Sequence, residues 1–220
     1  MKTVLITGTS RGIGRATAQK FLDEGWFVVG TAKSGEIDID SPNFTSIKLN
    51  YLERDTIGMA VHTIELLGRK IDVLINNAGV WLSEGKNLLM EKLRTTLEVN
   101  LIGAVDFTEH ILPLMSPNGH IIFVGSGMGS ISEIEEDGWE PSYRISKVGL
   151  SMYSRTLAKR FESENKDITV SVFDPGWVRT DMGGAEAPRL PEEVAGELYE
   201  LAVVDVETGQ FWKNGKKRSW

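Results

Sequence analysis

The stretch Thr3–Gly14, TVLITGTSRGIG, sets a short apolar run directly against a cluster of glycines. Residues 3–7, TVLIT, have the β-branched, unbroken apolar character of a fully buried strand. Gly8, Gly12 and Gly14 follow, and an amphipathic stretch runs from about Ile13 to Asp23. Glycines between a strand and a helix permit a tight turn and let the backbone approach a pyrophosphate. The unpaired N–H groups of the helix N-terminus would then face that anion. The spacing is Gly-x3-Gly-x-Gly, not the commoner Gly-x-Gly-x2-Gly. A plain strand-to-helix corner uses the same residue types, so the rest of the chain has to decide.

Outward from that turn, short apolar strands alternate with amphipathic helices. Strands are expected at Phe27–Thr31, Ser46–Leu49, Val73–Asn76, His120–Val124 and Thr169–Phe173, with a last short one at Gly209–Trp212. Helices are expected at about Asp55–Leu67, Lys92–Leu112, Tyr143–Glu162 and Glu192–Leu201. Strands that are apolar throughout and separated by helices imply a parallel sheet covered on both faces. The predicted class is therefore α/β, a single Rossmann-type doubly wound parallel sheet. No repeat, low-complexity run or linker divides residues 1–220, which read as one domain.

Composition narrows the function classes. The 220 residues are 41% hydrophobic and 25% charged with a net charge of −7, which argues against nucleic-acid binding through a broad basic surface. A basic cluster at Lys213, Lys216, Lys217 and Arg218 reads as a solvated end of the chain. The absence of cysteine excludes disulfides, thiolate metal sites and cysteine nucleophiles. His62, His110 and His120 show no metal-ligand spacing. No apolar run approaches the ~20 residues of a membrane span. The opening residues lead into a glycine turn and not a cleavage site, so the expected location is the cytoplasm.

Ligands of open α/β sheets bind beyond the carboxyl ends of the strands. Beyond the fourth strand lies NNAG (Asn76, Asn77, Ala78, Gly79), beyond the fifth GSGMGS (Gly125–Ser130), beyond the sixth DPGWVRTDM (Asp174–Met182). Small, polar, glycine-rich segments thus end four strands at one edge. The segment SYRISKVGL, Ser142–Leu150, adds Tyr143 and Lys147, four apart and so on one helix face. Such a pair is either an exposed surface contact or a phenol whose pKa a neighbouring ammonium pulls below the usual value of about 10.

The ordered set TGxxxGIG, NNAG, a serine after the fifth strand, YxxxK, and PG with a following threonine resembles the short-chain dehydrogenase/reductase family along nearly the whole chain. The resemblance implies a hydride transfer between a carbonyl and an alcohol, dependent on NAD(P). Tyr143 would be the general acid/base, Lys147 would lower its pKa and bond the nicotinamide ribose, and Ser126 would bond the substrate oxygen. Asn100 would hold a water in a proton relay. The family's usual interval selects Ser130, whereas position at the strand end selects Ser126, which is preferred. The implied cofactor contacts are Gly8, Ser10, Arg11, Gly12, Ile13, Gly14, Lys33, Asn76, Asn77, Ala78, Gly79, Tyr143, Lys147, Pro175, Gly176, Val178 and Thr180.

Lys33 ends the second strand where an acid would select NAD, and Arg11 adds a second cation, so NADP is the expected cofactor. Asp38 and Asp40 keep NAD open. Only about a dozen residues join the second strand to the third, so the helix usual there is short or missing. Asn50 stands where many members have an adenine-contacting aspartate. A brief substrate lid is expected at residues 183–191. Trp81, Trp139 and Trp177 flank the expected site and suggest an apolar or aromatic carbonyl substrate, while the acidic run Glu133, Glu135, Glu136 and Asp137 reads as a solvated loop. The YRISK form, the short lid and the ending TGQFWKNGK are most similar to the carbonyl-reductase branch that includes C-factor and sniffer proteins. The family resemblance implies a homodimer or homotetramer, paired through the two long helices flanking the site, and the C-factor-like branch leaves open a cofactor-binding regulator with little turnover.

Overall fold

The computed structural model describes residues 1–134 and 138–220. Strands β1 (Thr3–Ile6), β2 (Phe27–Ala32), β3 (Phe44–Lys48), β4 (Ile71–Asn76), β5 (Met115–Val124), β6 (Thr169–Phe173), β7 (Gln210–Lys213) and β8 (Lys216–Lys217) form one sheet ordered β3-β2-β1-β4-β5-β6-β7-β8. Neighbours are parallel except for the antiparallel β7–β8 pair. The helices are α1 (Gly12–Asp23), α2 (Asp55–Leu66), α3 (Met90–Leu97), α4 (Gly103–Ile111), α5 (Pro141–Ser163) and α6 (Pro191–Val203). None of the described helices is long and apolar enough to cross a membrane.

Each strand sends alternate side chains to opposite faces, and both faces are covered. Val4, Ile6, Val28, Val73 and Ile75 pack with Phe21 of α1 and Val194 and Leu198 of α6. Leu5, Val29, Leu74, Ile121 and Phe123 pack with Ile64 of α2, Phe107 of α4 and Phe161 of α5. This two-sided burial is why the strands read as continuous apolar runs. The strand order reverses at β1/β4, so a crevice opens beyond the carboxyl ends of those strands.

Several boundaries differ from expectation. The strand β3 starts two residues earlier, and β5 extends back to Met115 through a polar stretch whose register against β4 is irregular between Ile71 and Val73. The strand β8, two lysines long, carries no apolar signal. The expected helix 92–112 is α3 and α4 joined through a π turn at Glu98–Ile102. No helix occurs between β2 and β3.

The basic cluster is not uniformly solvated. Lys216 and Lys217 are exposed. Lys213 turns inward to Asp174 at 3.3 Å, and the Arg218 guanidinium pairs with both Asp174 and Glu133. A nearly buried carboxylate, Asp174, demands those partners. Glu133 of the acidic run is therefore paired, while Glu135, Glu136 and Asp137 lie outside the described residues.

Candidate active site

The glycine turn is a cradle that a side chain would fill. Gly8 has φ +73°, and a Cβ there would lie 2.9 Å from the Ala78 Cα. A Cβ on Gly14 would fall 2.1 Å from the Gly8 carbonyl oxygen. No side chain caps the N-terminus of α1, so its N–H groups face the cleft unclaimed by a capping group. The NNAG turn is knitted to this cradle. Asn77 N and Ala78 N each donate to Thr7 Oγ1 at 3.0 Å, and Asn77 Nδ2 donates to the carbonyls of Thr7 (2.8 Å) and Gly8 (3.1 Å).

The cleft encloses about 1610 Å³, above the roughly 300–1,000 Å³ of sites for drug-sized ligands. A dinucleotide and a second small molecule fit that space, and the glycine cradle suits a pyrophosphate. Gly8, Ser10, Arg11, Gly12, Ile13, Gly14 and Lys33 line one part. Asn77, Ala78, Gly79, Ser126, Tyr143, Lys147, Pro175, Gly176, Val178 and Thr180 line the remainder. Two expected residues do not reach the surface of the cleft. Asn76 is buried and its Nδ2 donates to Thr108 Oγ1 of α4 at 2.9 Å. Asn100, in the π turn, accepts from Val80 N at 2.7 Å and donates to Val80 O and Ser146 Oγ. Its side chain is committed to fixing the segment after NNAG against α5.

Tyr143 and Lys147 occupy the first turns of α5. The Tyr143 ring and Ser126 line the same part of the cleft, and the Ser126 hydroxyl accepts from Met128 N at 3.2 Å. Lys147 Nζ donates to Val124 O at 2.7 Å and lies 5.5 Å from the centre of the Tyr143 ring. Ser130 is turned away, its hydroxyl 3.2 Å from Ser132 Oγ and donating to Ser219 O at 3.4 Å. The electrostatics correct the expectation of a depressed phenol. Burial pushes Tyr143 up to about 12, opposed by the polar Ser126 hydroxyl nearby and reinforced by the charge of Asp174. Burial also pulls Lys147 down to about 8, with Asp174 acting against it. Desolvation is the largest influence on both groups.

An aromatic wall stands beside the phenol. Trp81 stacks on Tyr143 with ring centres 5.3 Å apart, and Trp139 meets Trp81 edge-on at 5.5 Å. Trp177 is exposed on the opposite rim, its Nε1 donating to Gly183 O at 2.7 Å. This wall is held by a residue that pattern reading missed. Glu140, buried and in the left-handed region at φ 57°, accepts from Ser83 Oγ, Glu84 N and Gly85 N. Glu84 reciprocates by accepting from Ser142 N at 2.6 Å at the start of α5. Both carboxylates cap backbone N–H groups and leave no pattern in sequence.

On the opposite side of the cleft, Lys33 is exposed and Arg11 pairs with Asp181. Asp38 does not line the cleft; its carbonyl accepts from Arg15 Nη2 at 2.5 Å. Asn50 spends its side chain on Glu53 and Leu52 N. Of residues 183–191, only Gly183 lines the cleft, while Ala187 and Arg189 are tied back to Arg179 and Pro175. The rim there is formed instead by Trp177, Asp181 and Met182.

A parallel doubly wound sheet with a glycine cradle and a Ser–Tyr–Lys cluster at its switch point defines a dinucleotide-dependent oxidoreductase type of site. Residues 2–190 match the family described as short chain dehydrogenase, and the chain belongs to it. It is 33% identical over 223 residues to the short-chain dehydrogenase anuI of Penicillium roqueforti, covering 90% of this chain and 87% of that one. Among solved structures it is similar to the carbonyl reductase Sniffer of D. melanogaster (TM-score 0.88, 24% identity, 100% of both chains). It is also similar to NADPH-bound carbonyl reductase from chicken fatty liver, with TM-score 0.89 and 25% identity over 100% and 99% of the two chains.

Proposed function

We propose that the protein is an NADPH-preferring reductase that interconverts an aldehyde or ketone and the corresponding alcohol, with Tyr143 as general acid/base. The observation that carries this reading is that Tyr143, Ser126 and Lys147 line one side of the glycine-lined cleft together, with Lys147 Nζ 5.5 Å from the centre of the phenol ring. A phenol held near 12 stays protonated at neutral pH, which suits an acid that protonates a carbonyl oxygen during reduction. Lys147, charged below about 8, offsets the phenolate that this transfer leaves. Ser126 Oγ orients the substrate oxygen towards the phenol.

A nicotinamide dinucleotide supplies the hydride when bound. The cradle of Gly8, Ser10, Gly12, Ile13 and Gly14 would hold its pyrophosphate, and Arg11 and Lys33 its 2′-phosphate. Ala78, Gly79, Pro175, Gly176, Val178 and Thr180 would flank the remainder. Asn77 would border it as well, while Asn76 and Asn100 support these segments from behind. The NADPH bound in the chicken carbonyl reductase is consistent with this assignment. Trp81, Trp139 and Trp177 favour an apolar or aromatic substrate, entering past a short segment 183–191 that is anchored and so leaves the entrance open. Exposed Ile145 and Met152 on α5 favour pairing of two copies through the long helices.

The test is NADPH oxidation with a panel of aromatic aldehydes and ketones. Tyr143→Phe should lower kcat about 100-fold or more while NADPH binding persists. NADPH binding without turnover of any carbonyl by the wild type would favour a cofactor-dependent regulator, and an undiminished rate in Tyr143→Phe would sink the acid/base assignment.

A further inference from the structure

The segment that follows β8 runs back to the loop that carries Ser126. Arg218 N donates to Phe211 O at 2.9 Å, and Trp220 stacks on the Phe211 ring with centres 5.4 Å apart. This fixes one side of the segment to the edge of the sheet. The other side meets the loop after β5. Ser132 donates to Trp220 O through its backbone N at 3.1 Å and its hydroxyl at 2.8 Å, and Ser130 Oγ donates to Ser219 O. Between these attachments the Arg218 guanidinium, only 12% exposed, pairs with Asp174 and Glu133.

The contact with the loop is close at two glycines. A Cβ on Gly127 would lie 2.8 Å from Arg218 Nη1, and one on Gly129 would lie 2.8 Å from Lys147 Cβ. Residues 127–129 make a single 3₁₀ turn held between Arg218 on one side and the α5 lysine on the other. Ser126 opens that turn and lines the cleft together with Tyr143 and Lys147. Asp174 reaches the same place from the end of β6, its Oδ1 accepting from Gly176 N at 2.9 Å.

We propose that Arg218 is a positioning residue: through Asp174, Glu133 and the turn at Gly127, the segment Arg218–Trp220 acts as a strap that keeps Ser126 against Tyr143 and Lys147. Arg218, Asp174 and Glu133 border the same cleft as Ser126, Tyr143 and Lys147. The strap's effect on turnover rests on the acid/base role given to Tyr143 above, but its effect on the loop does not. Two carboxylates and two cations, Asp174, Glu133, Lys213 and Arg218, balance locally, so the loss of Arg218 leaves the buried Asp174 with Lys213 and takes the guanidinium away from Glu133.

The test uses the full chain and two variants, Arg218→Ala and Trp220→Ala; the second loosens the strap without stranding a charge. Amide hydrogen exchange is read at Gly129, Ser130 and Ser132, with NADPH affinity and the kcat for reduction of 4-nitrobenzaldehyde measured alongside. Exchange at those amides should quicken tenfold or more in both variants while amides of β1 and β4 keep their rates. The kcat should fall tenfold or more with NADPH affinity within twofold of wild type. Unchanged exchange in both variants overturns the strap. Faster exchange with an unchanged kcat overturns the positioning role. If the wild type reduces no carbonyl compound, the proposed reaction fails, and exchange alone decides whether the strap exists.

Discussion

The indole of Trp81 lies nearly flat on the phenol ring of Tyr143, the planes 20° from parallel. One face of the ring is thereby covered, and the rotation that would carry its hydroxyl away from Ser126 is opposed. Aromatic pairs of this kind contribute about 0.5–1.5 kcal/mol beyond area burial. Trp81→Ala should therefore lower kcat by up to about tenfold. Trp81 Nε1 is buried with no hydrogen-bond partner among the described residues, so Trp81→Phe sacrifices no bond seen there and should keep most of the activity. Steady-state kinetics on the two variants checks this, and equal losses in both would refute the stacking argument.

Cofactor choice should respond to two cations. Arg11 is held by an exposed pair with Asp181, which costs little to break when a phosphate arrives. A bond to a charged group contributes about 1.5–3 kcal/mol. Arg11→Ala and Lys33→Ala should each weaken NADPH binding by tenfold or more and leave NADH within twofold. Fluorescence titration of both cofactors reads the result, and parallel losses for NADPH and NADH would count against a 2′-phosphate site.

Lys147 imposes a stability cost with a defined pH window. Its folded pKa of about 8 lies below the ordinary 10.5, so the unfolded chain binds the extra proton between those values. Below about 8 the buried charge costs about 3 kcal/mol, and the cost fades as pH rises towards 10.5. Lys147→Met should thus be more stable than wild type at pH 7, by an amount that shrinks at pH 10. Urea denaturation at the two values measures it, and a destabilised variant at pH 7 would contradict the burial argument.

Glu140 binds the loop after NNAG to the head of α5 with bonds from Ser83, Glu84 and Gly85. Glu140→Ala strands those donors in a left-handed residue and should cost about 2–4 kcal/mol. Glu140→Gln keeps an acceptor oxygen and should cost less. A fall in urea midpoint at constant slope would show the loss to be one of native stability.

What could be read from sequence was what residue type alone determines. Gly8 and Gly14 are required by backbone geometry, so their chemistry shows in the string; so does the four-residue step from Tyr143 to Lys147, which depends only on helix pitch. Asn76 and Asn77 are indistinguishable in NNAG, yet the strand pleat sends one into the core towards Thr108 and the other to the glycine cradle. The pair Asp174–Arg218 spans 44 residues and exists because β7 lies beside β6. Nothing local announces it, which is why Arg218 read as a solvated charge. The direction of the Tyr143 shift was also out of reach, because it depends on how completely the fold removes water from both groups.

The π turn at Glu98–Ile102 sets the two halves of one long helix out of phase. It holds one residue more than an α-helical turn would need, and each residue of an α-helix advances about 100°. Deleting one residue of the turn other than Asn100 would let the segment close as a regular α-helix, re-aiming the side chains of the turn while α3 and α4 keep their places. Asn100 could then no longer meet both Val80 and Ser146. The irregularity is a gear with one extra tooth, and the meshing of the NNAG turn with the tyrosine helix depends on its being kept.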